Sequence, residues 1–126
     1  MSDITIARLD AYYTSDSTCR KYKSYIDTCA SRTLTSDENK FSYLEPRASV
    51  RITGAGGRLE TQGRRGILKA NSLGLKEAVL LTSLPVGTLL SSADLYAVGW
   101  SLFLRGLVGE LLNESTGATV KINDDN

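Results

Sequence analysis

Chemistry in this chain begins with arginine. From Arg47 to Lys69 the sequence carries six basic residues, Arg47, Arg51, Arg58, Arg64, Arg65 and Lys69, against one acid, Glu60. The chain has 126 residues and a formal charge of +1, with a net −1 before this segment and −3 after it. The spacing within VRITGAGGRLETQGRRG, residues 50–66, is ordered. On an extended strand side chains alternate, so Ser49, Arg51 and Thr53 share one side while Ala48, Val50 and Ile52 share the other. After GAGG, whose glycines let the chain reverse, Arg58, Glu60, Gln62 and Arg64 alternate likewise until Gly63 and Gly66 interrupt the period. Guanidinium forks, hydroxyls and an amide on one surface are groups that contact phosphate oxygens and stack on unpaired bases. The segment is therefore expected to bind RNA rather than DNA, whose major groove is usually read by a projecting helix. The candidate contacts are Ser49, Arg51, Thr53, Arg58, Thr61, Arg64, Arg65 and Lys69. The plainer alternative is a solvated hairpin whose arginines keep an exposed strand from pairing with other chains.

Enzymatic chemistry is not expected. The chain has no histidine, which removes the Ser-His-Asp and Cys-His arrangements. Cys19 and Cys29 cannot by themselves complete a four-ligand zinc site. GAGG lacks the Lys-Ser/Thr of a phosphate-binding P-loop, and no Gly-x-Gly-x-x-Gly fingerprint occurs. No cofactor, metal or small-molecule substrate is expected. The two cysteines read as reduced thiols, with a disulfide between subunits as the alternative. MSDITIARLD has no basic segment followed by an apolar run, so no signal peptide is expected. Leu95 to Leu104 is too short a stretch to cross a membrane.

The elements that must position the basic face follow from pattern. Residues 1–46 read as N-terminal strands or a hairpin, with 19–30 ambiguous between strand and helix and leaning to strand. Residues 47–90 read as central antiparallel strands. Among them EAVLLTSLPVGTLL (77–90) forms one long apolar strand, placed centrally because it is apolar throughout. Residues 91–113 read as a helix, opened by Ser91 with Asp94 three positions on, and 114–126 as a C-terminal tail. The helix carries a broad apolar face and a sector of Gly99, Gly106 and Gly109. Either Gly106 and Gly109 break it into two short helices, or the glycines admit the backbone of a second copy. The dimer contact would then run through Leu95, Gly99, Leu102, Phe103, Gly106 and Leu107. On this helix Glu110 points into the apolar half.

Taken in order, ASVRITGAGGR, RRGILKANSLGLKEAVLLTSLPVG and SSADLYAVGWSLFLRGLVGELL, together roughly residues 47–113, resemble the coat proteins of single-stranded RNA bacteriophages, the levivirus-type family. The resemblance implies an α+β subunit with an antiparallel sheet of about five to seven strands and a C-terminal helix packed across a dimer partner. It further implies a homodimer, an icosahedral shell of many copies, and an inner sheet face that binds single-stranded RNA and represses translation through an RNA hairpin. Ser49 and Arg51 match the family's RNA-facing strand at a recognisable position; Arg58, Thr61, Arg64, Arg65 and Lys69 follow by geometry. The expected location is the virion, assembled in a bacterial cytoplasm without a membrane partner. A small dimeric nucleic-acid-binding regulator and a phage-encoded inhibitor stand as alternatives.

Overall fold

A computed structural model describes residues 4–6, 24–28, 30–53, 60–105 and 108–123. The strands in chain order are β1 (Ile4–Ile6), β2 (Ser24–Asp27), β3 (Leu34–Thr35), β4 (Phe41–Leu44), β5 (Val50–Thr53) and β6 (Glu60–Leu68). These are followed by β7 (Glu77–Leu80), β8 (Thr88–Ser91), β9 (Trp100–Arg105), β10 (Val108–Asn113) and β11 (Thr119–Asn123). One short helix, α1 (Ser92–Ala97), lies between β8 and β9. The strands join in the order β4-β6-β7-β3-β8-β2-β1-β11-β10-β9, with β5 also paired to β6. Among the described residues strand predominates, and the short helix keeps the fold compatible with the α+β class.

The sheet is mixed, which corrects the antiparallel expectation. β1 runs parallel to β2 and to β11, β2 parallel to β8, and β3 parallel to β7. The long strand expected over 77–90 is two strands: Leu81 to Gly87 contains a turn and bends, and β3 inserts between β7 and β8. Pro85 and Gly87 are the local cause, since proline offers no amide donor to a ladder. Both β7 and β8 still lie inside the strand order. Segment 19–30 is a strand where it is described, at β2; both cysteines lie outside the described residues.

Two apolar clusters sit on opposite faces of the central strands. Tyr25 and Leu89 pack with Leu34, Val50, Val79, Leu81 and Val86, whereas their neighbours Ile26 and Leu90 pack with Leu75, Leu95, Trp100, Leu111 and Ile122. Strands buried on both faces read as continuous apolar runs. Trp100, on the last strand of the order, donates its indole N–H to Leu73 O at 2.8 Å, in the loop between β6 and β7. The sheet is therefore curled, with its two ends approaching across the second cluster.

The largest correction falls on 91–113. The helix begins as its sequence signals, with Asp94 N donating to Ser91 Oγ at 3.3 Å, but it ends at Ala97. Gly99 takes φ +96°, a left-handed conformation that favours glycine, and β9 and β10 pair antiparallel with Arg105 opposite Val108. Inside a helix, Gly99, Gly106 and Gly109 would each cost about 1 kcal/mol relative to alanine, while Trp, Phe, Leu and Val suit a pleated surface. Along β10 the period is two: Leu111 is buried and Glu110 exposed. Glu110 thus faces out, not into an apolar half. No helix among the described residues is long and apolar enough to cross a membrane.

Gly99→Ala separates the two architectures by sign. In a continuous helix it would stabilise the protein by about 1 kcal/mol. In the hairpin it forces a side chain into positive φ beside Asn113 Oδ1, 3.3 Å from the new Cβ, and the expected loss is about 1–3 kcal/mol. Urea unfolding followed by circular dichroism reads the difference.

Candidate nucleic-acid interface

β6 is the strand on which the basic segment is built, and its pairing decides where each cation points. Its first half pairs antiparallel with β5, Arg51 opposite Gln62 and Val50 opposite Gly63. Its second half pairs with β4 on the same side, and β7 pairs along its other side. Directly opposed residues share a face. Arg51 and Gln62 therefore project together, both exposed, and Arg64 follows two positions along on that face. Gly63 allows this crossing: a Cβ there would meet Val79 Cγ1 and lie 3.0 Å from Leu80 O.

Arg64 is half-buried and structural as well as basic. Its Nε donates to Glu45 O at 2.8 Å, and Glu45 N donates to Arg65 O at 2.9 Å, so the corner between β4 and β5 is fastened to β6 from both sides. Ser49 lies at the same corner, its N donating to Gly63 O at 3.0 Å and its hydroxyl reaching Glu45 Oε2 at 3.4 Å. The Glu45 carboxylate thus lies close to the basic face and offsets part of its charge.

Arg65, one residue on, points to the opposite face. It lines a cavity of about 330 Å³ with Arg32, Lys76, Glu77 and Asp94, where both signs of charge are present. The expectation of one surface carrying both Arg64 and Arg65 is corrected by the pleat itself, since adjacent strand residues face opposite ways. Lys69 lies past the end of β6, exposed, its backbone N donating to Lys40 O at 2.9 Å. Lys40 is a cation the charge segment did not include, because it precedes Lys69 by 29 positions and only the β4–β6 pairing brings them together. Thr53 and Thr61 are placed on β5 and β6; Arg58 lies outside the described residues. The basic surface expected over residues 47–69 becomes a shorter strip on a curled sheet: Ser49, Arg51, Gln62 and Arg64.

The expected dimer contacts also divide. Leu95 is 1% exposed and packs in the monomer's own core, so it is not an interface residue. Gly99 serves the turn after α1. Leu102 is half-buried against the second cluster, while Phe103 is 54% and Leu104 50% exposed. Gly106 and Leu107 lie outside the described residues. Sequence reasoning missed that Phe103 and Leu104 belong to a strand, β9, that pairs only with β10 among the described residues. The available signal was Arg105-Gly106-Leu107-Val108, a Gly-X dipeptide between two β-prone runs. Among the described residues no three Cys, Asp or Glu side chains gather as metal ligands.

No protein-family model matches the chain, and no curated protein matches it.

Alanine substitution should distinguish the two adjacent arginines. Arg64→Ala is expected to lower unfolding free energy by about 1–2 kcal/mol through loss of the bond to Glu45 O, whereas Arg65→Ala should stay within about 0.5 kcal/mol. Chemical denaturation of both variants checks the split.

Proposed function

We propose that this chain is a viral coat subunit that pairs with a second copy and assembles, with many others, into an icosahedral shell around single-stranded RNA. The observation that carries the reading is β9. It ends the strand order, runs six residues with one charge, and leaves Phe103 and Leu104 exposed on its two faces. An apolar strand with an open edge is a template for adding another strand. A twofold axis between Leu102 and Phe103 would set these two opposite each other in antiparallel pairing, with Ser101 opposite Leu104. This is the self-complementarity of an isologous contact.

A shell needs contacts in more than one direction, and a second apolar patch supplies one. Tyr43 on β4 and Ile67 on β6 are directly opposed, 55% and 49% exposed, and lie at the other end of the strand order from β9. Two separate exposed apolar patches suit a subunit of a closed assembly and weigh against a simple dimeric regulator, which needs one. Arg51, Gln62 and Arg64 supply the polar strip for RNA phosphates, with Ser49 beside them.

Size-exclusion chromatography with light scattering on purified protein tests the reading. A megadalton particle absorbing at 260 nm is expected; a stable species of 13.7 kDa, or of twice that mass, contradicts the shell. Phe103→Lys should arrest assembly while leaving the monomer folded, because that side chain is exposed. Arg51→Ala should reduce the salt slope of RNA binding by about one counterion contact, read from affinities at several salt concentrations. An unchanged slope removes Arg51 from the interface.

A further inference from the structure

We infer that the cavity beneath Lys40 and Lys69 is a binding site for a small phosphomonoester. It has a volume of about 260 Å³ and opens between the 3-10 turn Glu38–Lys40, the end of β6 and the loop that follows it. Its floor is hydroxyl-rich. Ser24, Thr35 and Thr88 line it from β2, β3 and β8, with Thr33 just before β3, and the pairing of Ser24 and Thr35 with Thr88 aligns those three side chains on one face. All four are buried, Thr33 and Thr35 at 1% exposure.

Hydrogen bonds fix the polarity of the site. Lys40 Nζ donates to Thr88 Oγ1 at 3.1 Å, Thr88 Oγ1 donates to Thr35 Oγ1 at 3.2 Å, and Thr35 Oγ1 donates to Gly87 O at 3.0 Å. The relay anchors the Lys40 ammonium over the cavity by an uncharged oxygen, so the anchor leaves its charge uncompensated. An ammonium has three donors, and Thr88 takes one. Lys69 is fastened alongside through its backbone bond to Lys40 O. The cavity lining includes these two lysines and no carboxylate, unlike the neighbouring cavity at Arg65, where Glu77 and Asp94 answer the cations.

The hydroxyl hydrogens of Thr88 and Thr35 are committed to the relay, so the attraction comes from the two cations, which favour an anion with several acceptor oxygens. A phosphomonoester carries about −1.5 to −2 charge at neutral pH and three such oxygens. The cavity is smaller than the roughly 300–1,000 Å³ of drug-sized sites, so it takes the phosphate with at most a sugar. Lys40 lies outside the basic segment, and the inference stands apart from the coat reading: a free ester would occupy the site whether or not the chain forms a shell.

Calorimetric titration at low salt tests it, with ribose 5-phosphate and with a short oligoribonucleotide bearing either a 5′-phosphate or a 5′-hydroxyl. Saturable one-to-one binding of ribose 5-phosphate is expected. Lys40→Ala combined with Lys69→Ala should weaken it at least tenfold, at unchanged melting temperature because both side chains are exposed. Thr88→Val, which removes the oxygen that positions Lys40, should weaken it several-fold, and Lys76→Ala at the neighbouring cavity should not alter it. A tenfold gain for the 5′-phosphorylated oligonucleotide over its hydroxyl counterpart supports the site with an RNA end as the source; ester binding without that gain supports it with a free ester. Failure of ribose 5-phosphate and the phosphorylated oligonucleotide to bind, or undiminished binding by the double lysine variant, overturns the inference. RNA packaging that persists in that variant leaves the coat reading untouched.

Discussion

The architecture turns on the junction between Gly99 and Asn113. If α1 continued, Val98 O would accept from the amide four residues on. Instead the buried Asn113 side chain donates to Val98 O at 3.2 Å, while its Oδ1 accepts from Ser115 N and Thr116 N at 3.0 and 3.3 Å. One side chain thereby satisfies the end of the helix and the turn between β10 and β11. Glu114 N donates to Gly99 O at 3.3 Å across the same junction. With the helix stopped there, residues that would have formed an apolar rod are laid out as the paired strands β9 and β10, and β9 is the last strand of the order among the described residues.

That exchange of rod for hairpin changes what the molecule can do with its apolar surface. A rod buries a stripe, and a second copy would have to cover the remainder. β9 and β10 bury Trp100 and Leu111 in the monomer's own core, the leucine alone worth about 1.5–3 kcal/mol, and expose Phe103 and Leu104. The proposed self-association would then depend on strand pairing rather than on helix packing. The polar strip of Arg51, Gln62 and Arg64 lies on β5 and β6, separated from β9 by most of the strand order. The proposed assembly edge and the proposed RNA strip thus occupy different parts of the sheet.

Sequence reading succeeded where the cause was local. The alternation of Ser49, Val50, Arg51 and Ile52 and the Ser91 cap both appear in the structure. It failed where two local patterns competed. In SLFLRGLVGELL apolar residues are dense enough to satisfy a period of 3.6 and a period of two at once. The decision falls to the glycines and to Asn113, whose partner lies fifteen residues away. The sheet order was not legible either: β3 is two residues long, and its insertion between β7 and β8 is set by Thr33 and Thr35 accepting partners more than 40 residues distant. For the candidate site, the charge segment identified Arg51 and Arg64 correctly as face-sharing. It also enrolled Arg65, which the pleat turns away, and left out Lys40, which only tertiary pairing brings to Lys69.

The most direct test of the account is magic-angle-spinning NMR on assembled protein mixed from two differently labelled populations. The expected result is strand-type Cα shifts over Trp100–Arg105 and Val108–Asn113 together with an inter-chain contact between Leu102 and Phe103. Helical shifts across that span, or strand shifts with no contact between copies along β9, would contradict it.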